Sequence, residues 1–597
     1  MTIKPDRNYK HSLIKVTPPQ RTLLTIYIFC ALIAAVCITL FLPPVQELCI
    51  YAGERLTERN LNHNHWRKFL SFAAICVILF DAMICVVLLY ARRFLKPREL
   101  LASLNKKNTK SVSVAIIFFF MTLMCASLYI TDGHDWGDDF SEYIQQGIYI
   151  AEGSYATKYE GTDIFIGYPH GFPLLIAAVY KLAGFNLLAF KMINVVLYAL
   201  FIAVLFCYCD KKLSRLSSLI ITFLFALSPC LYKLIDCILS DIPHMVFSFI
   251  CLVLISSFLE KPDMRKKWTC SLGIGVFSFF AYTCRECGLV LLCTLLCGQA
   301  LALLKRLRAG TLSPNVRSAM LNVIPYATFF LLTCILNMML FPSHPRKDLS
   351  FFSNLALQSV ISNCAYYFNI ISYFFYPRFI WYAVVAGVLW SMLKFASKDY
   401  ILIIYALGIL GLYIIWPGKG QGIRFMASVL PVFLFFAGRS AEALCCPDIR
   451  HPRLRELIFR IYTGIAVFSC LIFMSISLAT GVHNVVFGRY LGTGSFTEEA
   501  KEMYRYINEN ISDERRIFFF KPRVLLLTTR SAVFYSLPQP GQAVDTSNFD
   551  LYLHTLDHGY GQLISDDEAK QETICLGGEE FTCIHGNEKM RLFARRH

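Results

Sequence analysis

Residues 131–147, TDGHDWGDDFSEYIQQG, gather four aspartates and a glutamate directly after the apolar run VSVAIIFFFMTLMCASLYI. Two uses fit so much negative charge beside a membrane. The acids cap a helix and face water, or they do chemistry at the bilayer surface, where an ionised carboxylate can take a proton from an approaching group. From Asp139 onward, Phe140, Tyr143, Ile144, Ile148 and Ala151 recur on one helical face, while Glu142, Gln145, Gln146 and Glu152 occupy the other. This spacing predicts an amphipathic helix lying in the interface, apolar side down, ended by Gly153. Asp139 with Glu142 three residues on fits a capping box. The two uses are compatible, because a helix N-terminus parked at the surface is a rigid platform. It holds a carboxylate where a lipid headgroup and a water-soluble acceptor can meet.

Other polar residues stand at the ends of apolar runs. His170 lies in IGYPHGFPLLIAAVYKLAGFN, where Pro169, Gly171 and Pro173 are expected to break any helix and the chain to touch the membrane surface over 173–183 without crossing it. A solvated loop histidine is its plainer reading. Asp241 in LSDIPHMVFSF precedes Pro243 at the start of a span, as an N-cap would. Arg285 and Glu286 in AYTCRECGLVLL mark a junction of two spans, where a snorkelling ion pair is the ordinary use. The flanking Cys284 and Cys287 form a CxxC with no second pair or histidine partner nearby in sequence, so zinc or redox chemistry has little support there. Lys419 and Arg424 in WPGKGQGIRFMASVLPVFLFF follow a Gly-rich turn at the start of a late span. Asp81 falls in mid-span, where a protonated interhelical hydrogen bond accounts for it.

The elements that must position these groups are membrane helices. The chain has 597 residues, of which 56% are hydrophobic, and a mean hydropathy of +0.51. One soluble core cannot hide that much apolar surface. Apolar blocks of roughly 20 residues, enough to cross a bilayer as helices, are expected near 22–42, 69–91, 112–130, 187–208, 217–235, 242–259, 269–283, 287–304, 320–341, 379–397, 400–416, 425–438 and 458–480. About thirteen spans follow, packed as a helical bundle. With the N-terminus cytoplasmic, 30 of the 57 Lys and Arg fall in the alternate segments 1–21, 92–111, 210–217, 260–268, 305–319, 394–399 and 439–460. The intervening loops hold far fewer, as the positive-inside rule requires. The net charge of +16 therefore reports topology, and nucleic acid is excluded as its partner. The run 22–42 reads as a retained anchor, since it is long and lacks a small-residue cleavage site.

Three regions follow. Residues 1–111 form an N-terminal extension with two spans. Residues 112–480 form the main bundle, with outer loops at 131–186 and 342–378. Residues 481–597 form a small extracytoplasmic α/β domain without a Gly-rich phosphate loop. That domain opens with SFTEEAKEMYRYINENIS, in which Ser495 and Glu498 fit a capping box and Ala500, Met503, Tyr504 and Ile507 make an apolar helical face. RIFFF and RVLLL read as short buried strands. The 23 cysteines lie mostly within spans; Cys575 and Cys583 flank LGGEEFT, and pairing across a hairpin and two free thiols are both open.

In their order and spacing from about 112 to 437, these pieces resemble the GT-C superfamily of membrane glycosyltransferases, most closely the bacterial branch that includes protein O-mannosyltransferases and the lipid A aminoarabinose transferase. The acid pair Asp138 and Asp139 in GDDFSEY opens the first outer loop. YPHGFPLL from Tyr168 is similar to a YPPGFPLL turn. SDIP with Asp241, RECG with Arg285 and RFMASVLP with Arg424 follow in the family's order. His170 stands where these relatives often carry Lys or Pro, and Phe425 replaces the usual Tyr. Residues 1–111 precede the family core.

The resemblance implies a reaction. A sugar on a polyprenyl or dolichyl phosphate is moved to an acceptor hydroxyl of a lipid, polysaccharide or protein on the extracytoplasmic face, with inversion. Asp139, Asp138 and Asp241 are the implied catalytic carboxylates. Glu142, Tyr143, His170, Arg285, Glu286, Lys419 and Arg424 are the implied substrate-binding groups. An oxocarbenium-like transition state gains from a carboxylate twice, by charge stabilisation and by proton acceptance. The phosphate leaving group needs cations more than an acid, and Arg285, Arg424 and Lys419 supply them. No firm metal-ligand set is present, and a divalent cation stays open as a cofactor. The short inner loops suggest a bacterial inner membrane. A transporter or flippase of lipid-linked sugars is the main alternative and a non-catalytic scaffold the third. A transporter should place polar groups and broken helices at mid-membrane; an enzyme should bring Asp139, Asp241 and Arg285 to one outward cavity.

Overall fold

A computed structural model describes residues 111–596 apart from 138, 156–166, 261–263, 311–315, 341–356, 376–377, 417–421, 445–451, 488–492, 531, 535–544, 557 and 559–560. The expected spans at 22–42 and 69–91, Asp81, Asp138 and Lys419 lie outside the described residues. Two compact units divide the chain: Met1–Lys106 with Leu471–Thr480, and Lys107–Cys470 with Gly481–His597. Leu471–Thr480 is helical. Apart from that helical stretch, the residues described below belong to the second unit.

The membrane portion is built from α1 (Ser111–Tyr129), α2 (Asp139–Glu152), α3 (Gly171–Ala183), α4 (Leu187–Lys212), α5 (Arg215–Ala226), α6 (Pro229–Ile235), α7 (Asp241–Glu260), α8 (Met264–Cys284), a 3-10 turn (Glu286–Leu289) leading into α9 (Val290–Arg308), α10 (Val316–Leu340), α11 (Leu357–Ser372), α12 (Ile380–Lys394), α13 (Ala396–Ile415), α14 (Ile423–Met426), α15 (Leu430–Leu444) and α16 (Pro452–Phe487). Among the described residues seven helices are long and apolar enough to cross a membrane, or eight if the bent pair α5 and α6 is one span. The chain is thus an integral membrane protein; two of the thirteen expected spans lie outside the described residues, and not all of the others form a separate long apolar helix. The reasons are local. Ser228 caps α6 at Pro229 and bends the run 217–235 by 48°, and α12 and α15 have only 15 residues each.

The segment 131–186, expected as the first outer loop and so labelled below, folds differently from expectation. α2 forms over the expected range, and Gly153 ends it with φ +71°. Part of its polar face does not lie in water, however: Glu142 and Gln146 are as fully buried as Phe140 and Ile144, while Glu152 is exposed. The PHGFP turn is not a helix breaker. α3 begins at Gly171 and accommodates Pro173 in its first turn, where the missing N–H would have had no intrahelical partner. Two glycines allow α2, α3 and α8 to meet. A Cβ on Gly147 would lie 2.6 Å from Ile176 Cγ2, and one on Gly171 would lie 2.5 Å from Thr283 Oγ1.

The root of this loop is fastened by a buried cation. Lys191 of α4, with no exposed surface, donates to the carbonyls of Thr131 (3.0 Å) and Gly133 (2.6 Å), to Thr131 Oγ1 (3.0 Å) and to Asp236 (2.7 Å). Asp236 in turn accepts the Thr131 N–H at 2.7 Å. A buried ammonium is tolerated only when its charge and its N–H groups are satisfied in this way.

The C-terminal part contains α17 (Glu498–Asn510), β1 (Arg516–Phe518), α18 (Pro522–Thr528), β2 (Ala532–Phe534), β3 (Leu551–Thr555), α19 (Asp566–Ala569), β4 (Thr573–Leu576), β5 (Glu579–Gly586) and β6 (Met590–Arg595). Its six strands form one mixed sheet in the order β2-β1-β3-β6-β5-β4, parallel through β2-β1-β3 and antiparallel beyond. The α/β character is as expected, and Ala500, Met503, Tyr504 and Ile507 are buried. Two readings are corrected, and one left open is decided. The α17 cap is Thr497, whose hydroxyl accepts from Ala500 N–H, while Ser495 instead donates to the His134 and Asp135 carbonyls. RVLLL is helical, because Pro522 presets the first turn of α18. Cys575 and Cys583 are free; the β4–β5 register sets Cys575 opposite Glu580.

This sheet shares a core with the first outer loop. Trp136, Phe140, Ile144, Phe172 and Ile176 belong to the same apolar cluster as Met503, Ile507, Ile517, Phe519, Leu525 and Leu551. Gly147→Val should therefore lower stability by about 1–3 kcal/mol through overpacking, seen as an earlier thermal unfolding transition of the detergent-solubilised protein. An unchanged transition would show that the α2–α3 contact relaxes freely.

Candidate active site

Four helix ends and one helix of the C-terminal sheet domain deliver their charged residues to a single place. Asp241 is the first residue of α7 and 3% exposed. One of its oxygens pairs with the Arg285 guanidinium. The other accepts from Arg424 Nε at 3.1 Å. Arg424 then reaches Asp139, the first residue of α2, with Nη1 to Oδ2 at 3.2 Å. Arg523 Nη1, from α18, lies 3.9 Å from Asp139 Oδ1 and 3.2 Å from Glu142 Oε2. The result is an alternating run of three guanidiniums and three carboxylates: Arg285, Asp241, Arg424, Asp139, Arg523, Glu142.

Local backbone explains how each arrives. Arg285 occupies the extended N-cap position between α8 and the 3-10 turn. Arg424 lies on α14, a single turn that follows Gly422 with φ +59°. The Arg285 guanidinium lies over the Phe425 ring, 4.5 Å from its centroid, a contact that needs a ring face and no hydroxyl. Phe425 is held by stacking on Tyr413 at 4.5 Å.

The accessible side of the cluster is formed by Asp139, Arg424 and Arg285, whose side chains are 33%, 24% and 17% exposed, against 1% for Asp241 and 0% for Glu142. Burial disfavours charge on Arg285 and on Arg424. The Asp241 carboxylate, joined at Arg424 by Asp139, outweighs it and holds both above the ordinary arginine range. Tyr168 donates its hydroxyl to Asp139 Oδ1 at 2.7 Å. Burial and the adjacent Asp139 carboxylate push that phenol up, so it remains a donor.

Each sequence-selected residue among the described ones can now be placed. Asp139, Asp241, Arg285 and Arg424 converge. Glu142 accepts from the Gly167 N–H at 2.7 Å and faces Arg523, so both carboxylates of the expected capping box are directed to other elements. Tyr143 is buried, shares a hydrogen bond with Ser240 Oγ at 2.9 Å and stacks on Tyr168 at 4.5 Å. His170 occupies the N-cap position of α3 without a side-chain capping bond, with Nδ1 3.4 Å from Tyr155 Oη. Glu286 is exposed. Cys284 and Cys287 are buried; Cys287 Sγ lies 3.3 Å from both His244 Nε2 and Tyr413 Oη. Among the described residues no group of three or more His, Cys, Asp or Glu is arranged to hold a metal ion. Sequence reading missed Arg523, Lys191 and Tyr168's bond to Asp139. For Arg523 the signal was present: Lys521-Pro522 before an apolar run is a helix start.

No protein-family model and no curated protein matches the chain. It is similar to solved structures of ArnT from Cupriavidus metallidurans, in the apo state (13% identity, TM-score 0.46, covering 81% of this chain and 97% of that one) and bound to undecaprenyl phosphate (11%, 0.45, 81% and 97%). It is also similar to the Archaeoglobus fulgidus oligosaccharyltransferase tethered with an acceptor peptide (10%, 0.47, 82% and 74%). Those proteins are GT-C superfamily members.

Removing one charge from the buried centre leaves its partners uncompensated. Asp241→Ala should cost about 3–5 kcal/mol of stability, whereas Asp139→Ala, at a third-exposed position, should cost much less. Thermal unfolding of both variants in the same detergent checks the ranking; equal losses would mean that Asp241 does not organise the pair of arginines.

Proposed function

We propose that the chain is a membrane glycosyltransferase that moves a sugar from a polyprenyl phosphate to an acceptor hydroxyl, on the extracytoplasmic face, with inversion. The observation that carries this reading is a half-exposed array in which one reachable carboxylate, Asp139, adjoins two reachable guanidiniums, Arg424 and Arg285, both anchored on a buried carboxylate. Such an array suits a reaction that takes a proton at one end and releases a phosphate at the other.

In this mechanism the donor phosphate takes the outward N–H groups of Arg285 and Arg424. Asp241, which has almost no accessible surface, acts as the positioning residue that aims both guanidiniums. Asp139 is the catalytic residue. Its carboxylate accepts the hydroxyl proton as the acceptor oxygen attacks the anomeric carbon. The bond from that carbon to the phosphate oxygen breaks, and the lipid phosphate departs with the electron pair. The same carboxylate stabilises the oxocarbenium-like charge, and Tyr168 fixes its orientation. Glu142 and Tyr143 support α2 from within and do not contact substrate. His170 and Glu286 lie at the margin of this scheme, and Asp138 and Lys419 stay proposed as a second carboxylate and a phosphate-binding cation. A divalent cation stays open as a cofactor, and no step here is routed through it. The charges of the cluster come from helix ends and short turns, which suits surface chemistry better than the mid-membrane site of a transporter.

Full-length protein in nanodiscs, supplied with a panel of undecaprenyl-phosphate-linked hexoses and pentoses and a cell-envelope extract as acceptor, should release undecaprenyl phosphate. Asp139→Asn should slow that release by roughly 100- to 10,000-fold while leaving the unfolding temperature nearly unchanged. A folded Asp139→Asn protein with normal turnover would remove the base assignment, and a wild type inactive on every donor would remove the reading.

A further inference from the structure

Arg523 belongs to the C-terminal sheet domain, yet its guanidinium ends among the charges of the membrane portion. It is 8% exposed. It pairs at 3.2 Å with Glu142, which has no exposed surface, and reaches 3.9 Å from Asp139 Oδ1, whereas Arg424 takes Oδ2. Its helix α18 is seated against α2 through the shared apolar core, in which Val524 and Leu525 join Phe140 and Ile144. The neighbouring Phe520 packs on Trp136 of the same outer loop, 5.4 Å between centroids. Chain entry into the domain is tied to that loop as well, through the Ser495 bonds to the carbonyls of His134 and Asp135.

Resting on the function proposed above, we propose that Arg523 is a positioning residue for the Asp139 base, so that the sheet domain completes the active site instead of standing apart from it. The reason is a competition inherent in the array. Arg424 is the partner of Asp139 and also a ligand for the incoming phosphate. When phosphate engages Arg424, Asp139 loses part of its fixation at Oδ2. Arg523 is buried and already committed to Glu142, so it stays, and it holds the carboxylate through Oδ1 together with Tyr168. Both contacts are made by one nitrogen, Nη1, so the hold on Asp139 is a charge attraction rather than a two-pronged hydrogen bond.

Because a lone truncation would strand Glu142 as a buried unpaired charge, the test uses a charge-balanced pair. Wild type, Arg523→Lys, the double variant Arg523→Met with Glu142→Gln, and Asp139→Asn are compared as full-length protein in nanodiscs, with the most active undecaprenyl-phosphate-linked sugar from the panel. A shift in position of about 1 Å at a reacting group costs on the order of 100-fold. The double variant should therefore lose roughly 10- to 100-fold in kcat, with KM for the donor within about threefold, since neither residue faces the phosphate in this proposal. Arg523→Lys should recover most of that loss. A double variant with wild-type kcat, or one in which KM rises and kcat does not change, overturns the positioning role while an inactive Asp139→Asn leaves the base assignment standing. A wild type inactive on every donor overturns both.

Discussion

A carboxylate at 3% exposure can carry its charge only if cations come to it, and Asp241 brings two. Taking an ion out of water costs several kcal/mol even after relaxation. Here Arg285 and Arg424 offset that cost from positions 44 and 183 residues further along the chain. In return the carboxylate separates two guanidiniums that would otherwise repel each other. Their remaining N–H groups are left on the accessible side. One buried acid thus converts two scattered arginines into a single cationic pair.

The surrounding structure works to keep that arrangement still. Lys191 and Asp236 fix the root of the first outer loop. Gly147 and Gly171 let α2, α3 and α8 approach to contact distance. Phe425 supports the Arg285 guanidinium as a flat surface, itself stacked on Tyr413. The apolar core under Trp136 and Phe140 continues into the sheet domain. Helix ends, rather than loop tips, carry Asp139 and Asp241, so their geometry inherits the rigidity of the helices behind them.

Much of the site was legible because polar residues at the borders of apolar runs stand out. Asp139, Asp241, Arg285 and Arg424 are such residues. The α2 helix was legible from its period, and its end from Gly153. What escaped depended on tertiary context. The buried state of Glu142 and Gln146 follows from a domain encoded some 350 residues later, which no local pattern reveals. Lys191 sits inside an otherwise apolar span and was absorbed into it. Arg523 was hidden by a wrong element type: RVLLL satisfies both a short buried strand and a short helix, and only Pro522 breaks the tie. The bundle itself was legible from hydropathy, but bends such as that at Pro229 blur the number of crossings.

Three arginines and three carboxylates sum to no net charge. Such a cluster projects little potential beyond the roughly 8–10 Å over which dissolved ions screen. It cannot draw a partner from afar, as a one-signed cleft does. A molecule already confined to the bilayer plane has no need of such attraction, since it arrives by lateral diffusion. Encounter here is then a matter of shape and direct exchange of ionic partners, and the ionic strength of the surrounding medium should have only a weak hold on it.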